Sequence, residues 1–295
     1  MKGWDKFLAL ASGLCVLVIF AFLFWIIFTI ARNGSGTVSW EFLTAAPVEG
    51  MTEGGIFPAI YGTVLLVLVM TVFLMPFGVM AGIYLAEYAP PNSRLTQAIR
   101  LAVNNLAGVP SIVFGLFGVG FFIQYAGRGM DRALGFEMVF SQPCLLWAAA
   151  TLAILNLPVV IKTSEEAIKA VPLEHREAAY ALGATKLKMI VRVVLPQAFS
   201  GILTGAILSV SRGAGEVAPI LFTGAAYFLP YIPKLPTDQF MELGYHIFVL
   251  SPQSPDVDKT APLLYGTILV LLLLTLALNT FAIGLRVRMR RRYGR

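Results

Sequence analysis

Arg212 and Glu216 are the only ionisable residues well inside any long apolar stretch of this 295-residue chain. They are four positions apart, which puts both side chains on one face if the segment is helical. Burying an arginine in a membrane costs at least about 2.5–3.5 kcal/mol on insertion scales, so a functional role is the first hypothesis for such a residue. The guanidinium fork matches the geometry of an oxyanion, and the pair therefore predicts a site that handles an anion.

Two roles are open for Glu216. Its carboxylate could hold Arg212 in place, or it could accept a hydrogen bond from a protonated oxyanion such as hydrogen phosphate, which sulfate cannot donate at neutral pH. The competing interpretation is an ion pair that locks neighbouring helices together. On a continuous helix counted from Pro196, Arg212 would lie about 24 Å and Glu216 about 30 Å along the axis, in the outer half of a membrane span.

The second candidate site is the polar segment 177–196, EAAYALGATKLKMIVRVVLP, which lies between two long apolar stretches. Pro172 suits the first turn of a helix, and good or tolerable helix formers continue to about Leu182. Gly183 stands where a left-handed cap is commonly needed, and Thr185 can then cap another helix. The pattern predicts a helix, a tight corner and a second helix.

The faces of these two helices suggest a docking element. Ala178 and Ala179 would leave the first helix with a shallow surface that another protein could approach closely. The apolar residues of the second helix recur at helical spacing and predict a stripe along an apolar boundary: Leu187, Ile190, Val191 and Val194. The competing interpretation is an ordinary helical hairpin on a soluble face.

The composition places both candidates in a membrane protein. Hydrophobic residues make up 58% of the chain, charged residues make up 13%, and the mean hydropathy is +0.79. Without a Ser- or Gly-rich linker, residues 1–295 are predicted to form a single membrane domain. The net charge of +6 would suggest a nucleic-acid partner in a soluble chain. In a membrane chain the positions of the charges matter more, and no nucleic acid is expected.

Six apolar stretches are candidates to cross a bilayer, whose hydrocarbon core is about 30 Å thick. They are residues 7–30, 58–86, 101–125, 144–161, 198–222 and 262–285. We therefore predict an all-α integral membrane protein with six transmembrane helices, in which residues 162–196 form a connecting segment outside the membrane.

The distribution of basic residues predicts the orientation. With the amino terminus inside, sixteen of the 22 Lys and Arg residues fall in the inner segments and five in the outer loops, and Arg212 is the one left in the membrane. Cytoplasmic loops carry the excess of Lys and Arg, so both termini and the segment 162–196 are predicted to be cytoplasmic. The basic tail 286–295 is expected to set this topology and to meet anionic lipid, or to contact a partner directly.

Two irregular regions remain open. The third stretch is interrupted by Asn105, Gly108 and Pro110. Broken backbone at membrane depth is tolerated where it is buried or lines a cavity, so these residues are candidates for pore lining or for tight helix packing. The long outer segment 227–261 is either a docking surface or a solvated cap, with 239–250 as a candidate surface helix.

The segment 177–196 resembles the cytoplasmic coupling motif of bacterial ABC importer permeases, which reads EAA, three residues, G, nine residues, I, one residue, LP. Six of the seven specified positions match, and Val193 stands in place of the isoleucine. The matching residues are Glu177, Ala178, Ala179, Gly183, Leu195 and Pro196.

Three further stretches resemble phosphate importer permeases of the PstA type, and the likeness extends from about residue 56 to the carboxyl terminus. They are AGIYLAEY at 81–88, NLAGVPS at 105–111 and SRGAGEVAPILFT at 211–223. The commoner family form has Ala and Thr where this chain has Gly213 and Val217. In that family the arginine and glutamate of the last stretch are linked to the phosphate path, and the resemblance implies that role for Arg212 and Glu216.

The resemblance implies a type I ABC importer permease (MetI-like) fold in the bacterial inner membrane. It also implies a complex with a second homologous permease subunit, two ATP-binding subunits and an external phosphate-binding protein, in which the hairpin at Glu177 docks on an ATP-binding subunit. The chain has no G-x-x-x-x-G-K-[ST] loop. We therefore expect it to carry no cofactor of its own and to leave ATP and Mg²⁺ to the partner.

Other classes of protein fit less of the sequence. An intramembrane enzyme would need bases and nucleophiles clustered on one side of the membrane, whereas the polar residues here divide between a mid-span pair and a hairpin. An ion-coupled transporter usually has more intramembrane carboxylates and no need of the hairpin. A metal site is not expected, because His175 and His246 have no companion at metal-ligand spacing.

Overall fold

The computed structural model describes residues 2–48, 53–251 and 257–293, and these residues are mostly helical. The first element is the long helix α1 (Lys2–Gly34). A short helix, α2 (Trp40–Thr44), follows it, capped by the Ser39 side chain, which accepts from Phe42 N. Strands β1 (Pro47–Val48) and β2 (Glu53–Gly54) then form a two-stranded antiparallel ribbon.

Helix α3 (Phe57–Ile83) starts with Pro58 in its first turn and continues as a π-helical segment, Tyr84–Tyr88. Helix α4 (Arg94–Leu106) lies outside the spans. After a break, α5 (Ser111–Phe117) continues as a second π-helical segment, Gly118–Gly127, into α6 (Arg128–Leu134).

The central helix is α7 (Leu145–Lys169). In its most apolar part 67% of the residues are buried, against 28% or less in the other spans among the described residues. It packs between α3 and α10 (Leu195–Gly213) and also contacts α5. Its Ala148, Ala149 and Leu152 are fully buried in the main apolar core. The small alanines let neighbouring helices approach α7 closely.

Between α7 and α10 lie two short helices, α8 (Leu173–Ala181) and α9 (Lys186–Met189), and a third π-helical segment, Ile190–Val194. The chain ends with α11 (Ile220–Thr223), α12 (Leu243–Leu250) and α13 (Val257–Tyr293). Helix α1 packs along α13 and is otherwise mostly exposed.

Six helical segments among the described residues are long and apolar enough to cross a membrane, as predicted. They are Trp4–Gly34, Phe57–Tyr88, Ser111–Leu134, Leu145–Lys169, Lys186–Gly213 and Lys259–Met289.

Five of the predicted span boundaries differ from the structure by eight residues or more. Two of them are the end of the third span, at Leu134 instead of residue 125, and the start of the fifth, at Lys186 instead of residue 198. The third span begins at Ser111 instead of residue 101, because α4 ends at Leu106 and Pro110 starts a new helix. The fourth span does not end at 161 but runs on to Lys169, so the segment outside the helix begins at Ala170. The fifth span ends at Gly213 instead of residue 222, where a Gly-Ala-Gly sequence interrupts the helix.

The segment predicted as a surface helix at 239–250 is shorter and mostly buried. Helix α12 starts at Leu243, and its Leu243, His246 and Val249 side chains are buried. The carboxylate of Glu242 caps this helix by accepting hydrogen bonds from Gly244 N and Tyr245 N. Part of the outer segment is therefore folded into the bundle.

The basic tail is described only in part. Helix α13 continues to Tyr293, and the last two residues of the chain lie outside the described residues. The predicted contact of this tail with lipid stays a prediction.

Candidate functional site

The predicted corner between two helices is present at Gly183. Gly183 adopts a left-handed conformation, with φ of 77°, which a residue with a Cβ atom adopts only with strain. Its N–H donates to Tyr180 O over 2.9 Å, and the next N–H, of Ala184, donates to Ala179 O over 3.0 Å. These two bonds form a Schellman cap, which satisfies the last carbonyls of α8.

Thr185 caps the next helix, as predicted. Its hydroxyl accepts a hydrogen bond from Lys188 N at 3.4 Å. The chain thus forms a helical hairpin, α8 and α9. The π-helical segment Ile190–Val194 then continues α9 into α10 within the fifth span.

One face of the hairpin packs on the membrane bundle. Its apolar contacts form the hairpin cluster, which consists of Ile168, Val171, Ala179, Met189, Ile190, Val194, Ala198 and Ile202. Residues of the second span pack against it: Met75, Val79, Ile83 and Ala86.

Two predictions about the hairpin faces were wrong in part. Ala179 faces the cluster, so the shallow exposed surface of α8 contains Ala178 but not Ala179. The predicted apolar stripe also divides, because Ile190 and Val194 are buried whereas Leu187 and Val191 are exposed. The π-helical turns at Ile190–Val194 change the angular spacing on which the stripe prediction depended.

The remaining motif residues divide between the exposed corner and the start of α10. Glu177, Ala178 and Gly183 are exposed, whereas Leu195 and Pro196 are half-buried in the first turn of α10. The side chain of Leu182, beside the corner, is 90% exposed. Leu182 was not among the site residues predicted from the sequence, because residue type and spacing alone do not reveal its exposure.

Arg212 and Glu216 form the predicted pair, with Arg212 Nε donating to Glu216 Oε1 over 2.8 Å. The side chain of Arg212 is 45% exposed and that of Glu216 is 19% exposed. Among the described residues, the two terminal nitrogens of the guanidinium have no hydrogen-bond partner. They can therefore donate to a bound anion.

The backbone of this pair differs from the prediction. Arg212 lies in the last turn of α10, whereas Glu216 lies beyond the end of the helix, in the turn before α11. The predicted position of Glu216 about 30 Å along a continuous helix is therefore wrong. Arg212 is separated from Leu195 by about 25 Å of helix, so α10 connects the hairpin to the arginine.

Buried polar groups that the sequence analysis missed surround the end of α10. Asn156 of α7 is fully buried, and its Nδ2 donates to Leu152 O over 3.0 Å and contacts Met70 Sδ at 3.7 Å. Asn279 of α13 donates from Nδ2 to Ser211 Oγ over 3.1 Å. Within the described part of the chain, Asn156 Oδ1, Asn279 Oδ1 and Ser209 Oγ have no hydrogen-bond partner. The signal in the sequence that could have indicated these residues was a polar side chain inside an apolar stretch.

Asn105, Gly108 and Pro110 mark a break in the chain, although they lie outside the third span. All three are exposed, and Gly108 N donates to Asn105 O over 3.0 Å in the turn after α4. The structure does not bring them into contact with Arg212. Helix α5, which follows the break, packs against the segment after Glu216, because a Cβ atom on Gly115 would lie 3.1 Å from the carbonyl oxygen of Pro219.

The described residues include no group of three or more His, Cys, Asp or Glu side chains that could hold a metal ion. His175 Nδ1 lies 2.6 Å from Gln197 Oε1, and this contact joins α8 to the first turns of α10. His246 is buried in α12.

The chain matches known transport proteins. Residues 78–295 match the family described as binding-protein-dependent transport system inner membrane component. The phosphate transport system permease protein PstA of Yersinia pestis is 41% identical over 202 residues, covering 68% of this chain and 63% of that protein. A probable phosphate transport system permease protein PstA of Methanocaldococcus jannaschii is 32% identical over 275 residues, covering 93% of this chain and 90% of that protein.

A solved structure shows the same fold. It is the crystal structure of a bacterial ABC transporter involved in the import of the acidic polysaccharide alginate, with 17% identity and a TM-score of 0.61. The match covers 96% of this chain and 98% of the chain in that structure. The predicted importer-permease fold is confirmed, and the chain belongs to the family of inner-membrane components of binding-protein-dependent transport systems.

Proposed function

We propose that this chain is a transmembrane permease subunit of an ATP-driven phosphate importer. Two relatives that carry the name phosphate transport system permease support phosphate as the substrate. For one of them, the match covers 90% of its length. The chain works with a second homologous permease subunit, two ATP-binding subunits and an external phosphate-binding protein. It binds no cofactor itself, since ATP and Mg²⁺ are used by the ATP-binding subunits. Residues 1–295 act as one permease domain, with the basic tail on anionic lipid.

The Arg212 guanidinium is the observation that carries the proposal. One nitrogen, Nε, is held by Glu216 at 2.8 Å, while the terminal nitrogens have no partner within the described residues. A guanidinium fixed on one side presents a fork whose geometry matches two oxygens of a phosphate. Because Arg212 is nearly half exposed on this chain alone, the opposite wall of the path belongs to the second permease subunit.

The exposed side of the hairpin is the coupling surface. Glu177, Ala178, Gly183 and the neighbouring Leu182 are exposed there, so they contact a groove of an ATP-binding subunit. The buried Ala179 and the half-buried Leu195 and Pro196 lie behind this surface and hold the hairpin and the start of α10 in position. At the break before α5, Asn105, Gly108 and Pro110 line the path where the second subunit approaches.

Reconstitution in proteoliposomes tests this function. The purified complex should take up phosphate only when ATP is present on the side of the ATP-binding subunits and the binding protein on the other. Arg212→Gln should abolish most uptake, and the control Arg128→Gln, at an exposed arginine of α6, should not. Uptake by this chain alone, without ATP, would instead support an ion-coupled transporter. ATP-dependent uptake of a different oxyanion in place of phosphate would assign another substrate.

A further inference from the structure

Glu87 is a buried carboxylate at the end of the second span. It lies in the π-helical segment Tyr84–Tyr88, and its side chain is only 6% exposed. Its Oε1 accepts from Arg176 Nη1 over 2.6 Å. Arg176 lies on α8, one residue before the coupling motif, and its own side chain is 15% exposed. Each charge is thus buried against the other.

Arg176 also joins a third element. Its Nη2 donates to the backbone carbonyl of Ile168 over 2.6 Å, near the end of α7. A guanidinium can make these two bonds at once because its nitrogens form a rigid planar fork. Arg176 therefore holds the end of the second span, the end of α7 and the hairpin in one arrangement.

The other helix of the hairpin reaches the same residue. Lys186, at the start of α9, donates from Nζ to the backbone carbonyl of Glu87 over 2.5 Å. The same ammonium lies 4.4 Å from the centre of the Tyr88 ring, a cation–π distance. The two cations, one on each side of the Gly183 corner, thus converge on Glu87.

The second span leads from Glu87 to the neighbourhood of Arg212. Met70, on α3, lies about 25 Å from Glu87 along the helix. It packs against Gly213, and a Cβ atom there would lie 2.7 Å from Met70 Sδ. The hairpin is therefore connected to the Arg212 region covalently through α10, and also through α3, which it contacts by the apolar packing of the hairpin cluster and by the polar contacts of Glu87.

We propose that Glu87 is the positioning residue through which the coupling hairpin moves the second span, with Arg176 and Lys186 as its two contacts. This inference rests on the proposed function. When the ATP-binding subunits displace the hairpin, α3 and α10 move together, and both sides of the Arg212 region are repositioned at once. Without the Glu87 carboxylate, the charged contact between the hairpin and α3 is lost, the apolar contacts remain, and α3 follows α10 less closely.

The test measures transport per ATP hydrolysed in the reconstituted complex. Glu87→Gln keeps the shape and an acceptor oxygen but removes the charge. We expect it to assemble and hydrolyse ATP, with the number of phosphate ions moved per ATP lowered about fivefold or more, the range of a coupling free energy between sites. Lys186→Met, at an exposed residue, should lower the ratio in the same direction and carries less risk of misfolding.

Lys169→Met is the matched control. Lys169 Nζ pairs with Glu165 Oε1 at 2.6 Å, the same length as the Glu87 pair, but both residues belong to α7. The loss of this ion pair should leave the number of phosphate ions moved per ATP unchanged. Restoring opposite charges with Glu87→Arg and Arg176→Glu together should recover part of the ratio, which a role in folding alone does not predict.

A distance measurement supplies an independent readout. Spin labels at Met80 and Leu173, both exposed, report on α3 and α8 in a chain whose Cys15 and Cys144 are replaced. In the otherwise unchanged protein, the distance should stay constant when ATP binds. In Glu87→Gln it should change.

The inference would be overturned if Glu87→Gln and Lys169→Met moved equal numbers of phosphate ions per ATP. It would also be overturned if the distance between the two spin labels stayed constant in Glu87→Gln when ATP binds. Failure of the unchanged complex to move phosphate would overturn the proposed function instead. The label distance still tests the movement in that case, because it needs ATP and no phosphate.

Discussion

Arg212 donates from Nε to Glu216 Oε1 over 2.8 Å, across the point where the fifth membrane helix ends. Both residues belong to one continuous segment, so their pairing connects no two spans. This hydrogen bond by itself therefore does not lock one span to another. A pair formed within one segment fixes the direction of the guanidinium, as an anion site requires.

Arg212→Lys should raise the phosphate concentration needed for half-maximal uptake by about tenfold, because a hydrogen bond to a charged group contributes about 1.5–3 kcal/mol. An ammonium keeps the charge but not the planar fork. Uptake kinetics in proteoliposomes measure the change, with Arg128→Lys as the control. Equal kinetics for the two variants would show that the fork does not bind substrate.

Glu216→Gln tests the choice between phosphate and sulfate. A carboxylate accepts a hydrogen bond from hydrogen phosphate, whereas sulfate at neutral pH has no proton to donate. The glutamine should lower the preference for phosphate over sulfate by about tenfold, the value of one charge-assisted hydrogen bond. Competition between the two anions in the reconstituted complex measures it. An unchanged preference would leave Glu216 with only the task of holding Arg212.

The corner of the hairpin could be predicted from the sequence because its determinants are local. Gly183 and Thr185 act within a few residues of their own position, and each does in the structure what its type predicts. Pro172 precedes the first turn instead of lying in it, since it is the N-cap residue of α8, with ψ of 144°. The inward direction of Ala179 depends on packing against Met189 and Ile190. No local pattern contains that information.

The interrupted fifth span shows why the anion site was predicted only in part. Hydropathy continues to residue 222, and an average over a window does not detect a helix end inside an apolar run. The signal was present in Gly213 and Gly215, since glycine weakens a helix interior by about 1 kcal/mol.

The contact between Glu87 and Arg176 joins residues 89 positions apart, and a single sequence does not reveal such a pairing.

Gly183→Ala should destabilise the hairpin by about 1–2 kcal/mol, the cost of a left-handed conformation for a residue with a Cβ atom. We expect weaker association with the ATP-binding subunit, measured by co-purification at increasing detergent concentration, and a lower melting temperature. Gly284→Ala in α13 is the control, because Gly284 has no neighbouring atom within 4 Å of an added Cβ. Similar losses in both variants would contradict a special role for the corner.

Glu242 and His246 should give opposite pH dependences to stability. Burial raises the pKa of Glu242 from 4.5 to about 7, and burial lowers the pKa of His246 from 6.5 to about 4. Between pH 4.5 and 7, folded Glu242 holds a proton that the unfolded chain has released, so its contribution to the free energy of unfolding falls as the pH rises. Between pH 4 and 6.5, the unfolded chain holds a proton that folded His246 does not, so that contribution rises with pH.

The two variants separate these contributions. The difference in free energy of unfolding, Glu242→Gln minus the unchanged protein, should increase with pH by about 1.4 kcal/mol per unit across the glutamate window. The corresponding difference for His246→Asn should decrease with pH across the histidine window. Thermal unfolding in detergent at several pH values measures both differences, and the subtraction removes the contribution of every other titrating group. If both differences changed with pH in the same direction, or if neither changed with pH, the prediction that Glu242 and His246 titrate as buried groups would be wrong.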